Sequence, residues 1–140
     1  MFIKTIIIYI ALSFLLYGSD SCFLIDRVHV NFINHLPNEF PQPLLVHCAS
    51  KDDDLGNHTL TFNQMWGFSF CVIPFTTLFK CDLHWTGLGL NLNVDAYDAS
   101  WVKNPCDKSN CTWTVSVGGA NLPNGDFHSW KDHEFINNLY

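Results

Sequence analysis

Residues 44–85 read LLVHCASKDDDLGNHTLTFNQMWGFSFCVIPFTTLFKCDLHW, and this stretch decides the fold. An apolar run ends in His47-Cys48, a polar turn is expected over Ser50-Lys51-Asp52-Asp53-Asp54-Leu55-Gly56, and two aromatic-rich runs, 65–73 and 76–85, are split by Pro74. Apolar, β-branched and aromatic residues set between Gly, Pro and Asp predict consecutive antiparallel strands, and no helical period competes. In the first aromatic run Trp66, Phe68, Phe70 and Val72 share one side and are expected in the core, with Gly67, Ser69, Cys71 and Ile73 opposite. In the second, Thr77, Phe79, Cys81, Leu83 and Trp85 share a face. Cys81 is therefore expected to point inward, which suits a buried disulfide better than a reactive thiol.

The flanking sequence carries the same period. Val28, Val30 and Phe32 alternate with His29, Asn31 and Ile33, the pattern of a half-buried strand, and a polar link with Leu36-Pro37 and Pro41-Gln42-Pro43 follows. Thr59 to Phe62 reads as a short strand or the start of one. Leu88, Leu90, Leu92 and Val94 alternate with Gly89, Asn91, Asn93 and Asp95. Asp98 to Asn110 has the composition of a loop, and Cys111, Trp113, Val115 and Val117 predict a strand ended by Gly118-Gly119. The tail from Leu122 to Tyr140 has a turn at Pro123-Asn124-Gly125 and little periodicity. Short strands at regular spacing with inward aromatics and no internal repeat predict an all-β protein, an antiparallel β-sandwich of about seven to eight strands.

The chain has 140 residues, enough for one domain. Lys4 is the only charge before Asp20, Ile6 to Leu16 is almost unbroken apolar sequence, and Gly18, Ser19 and Ser21 follow. This is the pattern of a secretory signal peptide, expected over residues 1–21 with cleavage near Gly18 or Ser21, and it assigns 22–140 to the β domain. A membrane anchor needs about 20 apolar residues, and this run is shorter. The whole chain carries −6; cleavage before Asp20 removes Lys4 and leaves about −7. No Lys/Arg cluster exists, so neither nucleic acid nor an anionic membrane surface is an expected partner. Export would also favour disulfides for the six cysteines.

The string HCASKDDDLGNHTL (47–60), the W-x-F-x-F of Trp66, Phe68 and Phe70, the T-L-F-x-C-x-L-x-W of Thr77 to Trp85 and the C-x4-C-x-W of Cys106, Cys111 and Trp113 resemble the plant self-incompatibility S1 family, whose members are also called S-protein homologues. The likeness runs from about Val28 to Val117 in order and spacing, and Gly118-Gly119-Ala120 departs from the usual close. It implies a disulfide-braced β-sandwich, with a further strand near Asp126 to Trp130. It also marks Cys48, Cys81, Cys106 and Cys111 as the cysteines of two bridges. Of the three possible pairings the nested one, Cys48 with Cys111 and Cys81 with Cys106, is the expectation. Cys22 and Cys71 stand outside that pattern, to pair with each other or stay free, and Cys22 lies at the edge of the segment to be cleaved.

The same resemblance implies a function. S1-like proteins in poppy pistils are the female determinant, recognised by a receptor on the pollen surface. The expected role here is thus a secreted ligand or recognition protein with a membrane receptor on another cell as partner, and self-incompatibility as one process it could serve. Its contact surface is expected on the Ser50 to Asn57 turn, the Asp98 to Asn110 loop and the Asn34 to Gln42 link. A secreted defence or antimicrobial protein is the rival reading, against which the acidic balance counts, and a hydrolase is a third.

Catalytic chemistry finds little support in the residues. There is no G-x-S-x-G, H-E-x-x-H, phosphate-binding Gly loop or C-x-x-C. His47 with Cys48, or Cys81 with His84, would need a free thiolate, whereas the expected bridges consume both sulfurs. Asp52, Asp53 and Asp54 are consecutive rather than alternating and lack the distal Glu of a calcium loop, so a solvated turn is expected. His29, His35, His58, His128 and His133 lack metal-ligand spacing and are placed on outward faces or loops. No catalytic residue, metal or cofactor is therefore expected. Asn57-His58-Thr59 and Asn110-Cys111-Thr112 are glycosylation sequons. Asn57 is the better candidate, because a bridge at Cys111 formed early would deny access to Asn110.

Overall fold

A computed structural model describes residues 1–17, 22–39 and 42–131. The expected cleavage point, His133, and Phe40 and Pro41 of the link lie outside the described residues. Among the described residues one apolar helix, α1 (Phe2–Tyr17), precedes nine strands. They are β1 (Arg27–Asn34), β2 (Leu44–Ala49), β3 (Asp54–Leu60), β4 (Met65–Cys71), β5 (Leu78–Trp85), β6 (Leu90–Asp98), β7 (Asn110–Ser116), β8 (Gly119–Asn121) and β9 (Phe127–Ser129). They form two sheets, in the orders β4-β1-β7-β8-β9 and β3-β2-β5-β6. The expected β-sandwich is what forms, with one or two strands more than the pattern suggested. The extra ones are short, since β8 and β9 have three residues each.

Period-2 alternation fills the space between the sheets. Val28, Val30 and Phe32 of β1 and Trp113 and Val115 of β7 meet Leu44 and Val46 of β2, Leu83 and Trp85 of β5, and Leu92 and Val94 of β6, all buried. Phe32 and Trp113 stack with ring centroids 6.2 Å apart and planes 11° apart. The Trp113 indole Nε1–H donates to the Ala96 carbonyl of the opposite sheet at 3.2 Å, so this buried indole leaves no polar atom stranded. Buried Asn34 ends β1: its Nδ2 donates to the Leu60 carbonyl at 2.9 Å and its Oδ1 accepts the Leu36 N–H at 2.9 Å. This fixes where the chain leaves one sheet for the other.

Several expectations are corrected. The polar turn spans only 50–53, closed by the Ser50 N–H to the Asp53 carbonyl at 2.7 Å. Asp54, Leu55 and Gly56 already belong to β3, because Asp54 pairs with Ala49 across a register shift in β2, and Gly56 takes φ 75°. Leu88 lies in the turn before β6, and Phe62 in the turn after β3; both are exposed. Trp66, Phe68, Phe70 and Val72 face the core as expected but are only partly buried, since β4 is an edge strand. β1 and β7 run parallel, with Val30 opposite Cys111. No hairpin joins those two strands, so nothing local forces the antiparallel sense.

The nested disulfide pairing is also overturned. Cys48 is bonded to Cys81, Cys106 to Cys111 and Cys22 to Cys71. Cys48 and Cys81 are cross-strand neighbours on the buried face of β2 and β5, with Cα atoms 4.1 Å apart, whereas Cys111 belongs to the opposite sheet. Chain-entropy arithmetic for sequence separations of 33 and 5 gives about 4 kcal/mol for Cys48–Cys81 and about 2 kcal/mol for Cys106–Cys111. Replacing Cys48 and Cys81 together by Ser is expected to cost about twice as much stability as replacing Cys106 and Cys111, read from denaturant midpoints. Peptide mass mapping should find the other two bridges intact in each variant; scrambled bridges would contradict the pairing.

Candidate functional site

Strand direction gathers the connections into two groups. β2 ends, β5 begins, β6 ends and β7 begins on one side, because Ala49 pairs with Lys80 and Leu78 with Asp98. The Ser50–Asp53 turn, the Ile73–Thr77 turn and the Asp98–Asn110 loop therefore share one end of the sandwich. The Asn34–Gln42 link lies at the opposite end, with the turn after β3. Of the three stretches expected to carry contacts, the fold joins two and separates the third.

The Asp98–Asn110 loop is anchored along its length. Asp98 Oδ1 accepts the Ser100 hydroxyl at 2.6 Å and the Ser100 N–H at 2.8 Å, an Asx turn that aims the chain outward. The Ala99 N–H reaches the Thr77 carbonyl at 2.9 Å, tying the loop to the neighbouring turn. Trp101 sets its ring edge-on to Tyr97 at 5.5 Å. Further on, the Cys106 N–H donates to Asn104 Oδ1 at 3.0 Å, Asn124 holds the Pro105 and Cys106 carbonyls, and the Cys106–Cys111 bridge closes the base. Between these anchors Val102 and Lys103 point into solvent, Val102 with no side-chain burial at all, at 105% relative exposure. Nothing in the sequence announced the Trp101–Tyr97 contact; a loop tryptophan was its only signal.

Two clefts lie near this end, the second of them under the loop. One, of about 600 Å³, lies between the 50–53 turn and the 73–80 segment and is floored by Phe70 and Phe79, with Lys51, Asp52, Asp53 and Lys80 at its rim. The other, of about 550 Å³, is more polar and runs under Trp101 and Lys103 toward Asn124, Asp126 and His128. Lys80 borders both and pairs with Asp95 at 3.1 Å, a largely exposed ion pair worth little in stability.

The remaining sequence candidates are dispersed. Cys48 and Cys81 are bonded, so neither His47 nor His84 faces a free thiol. His47 Nε2 lies 2.7 Å from Asp54 Oδ1, and His84 Nδ1 lies 2.6 Å from Asn91 Oδ1. His29, His35 and His128 are exposed; His58, expected on the surface, is half-buried, stacked on Trp66 at 3.7 Å with its Nε2–H on the Leu55 carbonyl. Among the described residues no three His, Cys, Asp or Glu side chains cluster closely enough to hold a metal ion. Asn57 is exposed on edge strand β3, and Asn110 is exposed at the start of β7, one residue before a bridged cysteine.

Two carboxylates are tuned by this geometry. Asp98 is held below the ordinary aspartate range by the Ser100 hydroxyl and then the Ser100 N–H, and Asp54 by the Gly56 N–H and then by His47. Burial, then the charges of Asp26 and Asp98, raise Tyr97. For both carboxylates the folded pKa lies below the unfolded one. The order they confer is thus complete above the ordinary aspartate range and lost as pH falls through the lowered values. Carboxyl ¹³C titration should place both midpoints below the ordinary aspartate range, and amide exchange at Ser100 should rise only once Asp98 protonates. An Asp98 midpoint at or above the ordinary range would refute the anchoring.

These features define a class, a small disulfide-braced β-sandwich with an ordered loop end. The family model described as plant self-incompatibility protein S1 matches residues 29–134, and the chain belongs to that family. S-protein homolog 2 of Arabidopsis thaliana is 35% identical over 105 residues, covering 73% of this chain but 63% of the relative, so the match spans under two thirds of that protein. Self-incompatibility protein S1 of Papaver rhoeas is 30% identical over 128 residues, covering 91% of this chain and 88% of the relative. Among solved structures, a Self-Incompatibility Protein Homologue superposes with a TM-score of 0.60 at 16% identity, covering 78% of this chain and 98% of that one. That likeness is one of fold. Its description is of a widespread family of small, highly stable, secreted proteins from plants. Among the described residues no helix of this chain is long and apolar enough to cross a membrane.

Proposed function

We propose that this chain is a secreted recognition protein that engages a membrane receptor on another cell through the loop end formed by residues 50–53, 73–77 and 98–110. The observation that carries the reading is the pairing of a tightly anchored loop with an exposed apolar-basic tip, Val102-Lys103. A loop ordered before binding loses little conformational entropy on docking, which is how a rigid sandwich turns variable loops into a specific surface. Family membership and the name of the poppy relative support a recognition role over catalysis, and self-incompatibility is the process that name points to.

Secretion enters on the pattern of Lys4, the apolar α1 and the small residues after it, together with three disulfides that need an oxidising compartment to persist. In this reading residues 1–21 are removed, the mature domain does not insert into membranes, and Asn57 carries a glycan on the outer edge of β3.

Val102→Asp and Lys103→Glu together are expected to leave secretion and melting temperature unchanged while weakening binding to receptor-bearing cells at least tenfold. Full binding by that variant would remove the loop from the contact surface. For the glycan, Asn57→Gln should abolish the mass shift produced by glycosidase treatment of the secreted chain, and Asn110→Gln should leave it in place. Loss of the shift in the second variant alone would reverse the assignment.

A further inference from the structure

Each sheet has two outer strands, and three of the four are guarded against pairing with another chain. β3 is acidic at its start, carries a positive-φ glycine and pairs across a register shift. β6 is met by the chain after β9, where the Lys131 N–H donates to the Asn91 carbonyl at 2.9 Å, and its other half bears Asp95 and Asp98. β9 has three residues. β4, with the sequence MWGFSFC, has no charge, no proline and an unbroken register with β1.

The hydrogen-bond parity of β4 is fixed by its neighbour. The Val72 N–H donates to the Asp26 carbonyl at 2.8 Å and the Asn34 N–H to the Gln64 carbonyl at 3.0 Å, while the His29 N–H turns away from β4 to the Ser109 carbonyl at 2.9 Å. The β1 ladder thus uses even-numbered residues of β4, and the N–H and C=O groups of Met65, Gly67 and Ser69 point out of the sheet. Among the described residues no backbone group bonds to them.

We propose that this edge joins two copies of the chain: β4 pairs antiparallel with β4 of the second copy about a two-fold axis through Phe68. In that register Met65 faces Cys71 of the second copy, Gly67 faces Ser69, and Phe68 faces itself. The outward-pointing odd residues then fall in the hydrogen-bonded pairs, as parity demands. Phe68 falls in a non-bonded pair, where side chains come closest. On the inner face Trp66 meets Phe70 across the axis, extending the row in which Phe68 already lies 5.5 Å from Trp66 and 5.8 Å from Phe70. On the outer face only small side chains meet at the centre. Gly67 is bare because Asn31 and the Val30 carbonyl occupy the space a Cβ would need.

Charge and ends favour a second copy as occupant. Two copies meeting at β3 or β6 would set their aspartates against one another, whereas β4 bears no charge and opposes no like charges there. The two-fold also brings the apolar, exposed Phe62 and Met65 at one end of β4 toward the exposed Phe23, Ile73 and Phe75 beside the Cys22–Cys71 bridge at the other end. Exposed apolar clusters of this kind mark contact surfaces. The inference does not depend on the loop-end reading, since it rests on the β4 edge and meets that end only at Ile73 and Phe75.

One seven-residue strand pair makes a small interface, so association should be weak and visible between about 5 and 500 µM. Sedimentation of the disulfide-intact secreted chain is expected to shift from one to two copies across that range. Gly67 and Ser69 amides should exchange more slowly as concentration rises. Ser69→Pro removes an outward N–H without touching the β1 ladder. It should weaken association at least tenfold with the melting transition retained. A single-copy mass at all concentrations would overturn the proposal. So would a dimer that Ser69→Pro does not weaken and in which the Gly67 and Ser69 amides exchange independently of concentration. Protection of those amides in a chain that stays single, appearing only when receptor-bearing membranes are added, would assign the edge to the receptor and overturn it too.

Discussion

The contact on which the rest of the molecule depends is that of Trp113 with the facing sheet. Its ring is buried against Phe32, and its indole N–H reaches the Ala96 carbonyl of the other layer. Burying an indole removes some 150–250 Å² from water, about 4–6 kcal/mol of gross transfer free energy. The hydrogen bond makes that burial directional, since only one relative placement of β7 and β6 satisfies it. A second tryptophan works differently at the margin: Trp130 donates to the Ser116 carbonyl of its own sheet at 3.1 Å and sets its ring 6.2 Å from Trp85 of the facing one. Two indoles, each tethered at its polar corner, hold the layers in one alignment.

That alignment gives the disulfides distinct work. Cys48–Cys81 lies wholly inside the core and cross-links adjacent strands already in register, so it constrains the unfolded chain more than it shapes the folded one. Cys106–Cys111 closes a short loop and shapes the surface directly, holding the base from which Val102 and Lys103 extend. Cys22–Cys71 ties the segment before β1 to the end of β4. The bridge thus places exposed Phe23 and Leu24 next to an exposed sheet edge, and the surface chemistry of that region follows from one covalent bond.

Legibility in the sequence tracked burial contrast. β1, β6 and β7 alternate between fully buried and more exposed positions along most of their length, so a period of two exposed them at once. β3 was misread at its start because Asp, Asp, Asp and Gly signal a turn locally, while cross-strand pairing with β2 holds Asp54 to Gly56 extended. β8 and β9 are too short to show a period, and only the family resemblance anticipated a strand near β9. The loop end was legible as candidate loops, but not as a surface, because nothing along the chain says which connections share an end.

Alternation, punctuation and cysteine count therefore determined by themselves that this is a β-sandwich, which face of each long strand is wet, and that thiol chemistry is an unpromising place to seek activity. Tertiary structure alone decided which cysteines meet, which strands border solvent, and that the 50–53 and 98–110 connections converge while the 34–42 link lies apart. The reason is physical. A residue's side is set by its own backbone geometry and its two neighbours. A pairing partner is set by the sheet order, a property of chain segments dozens of residues apart competing for the same buried space.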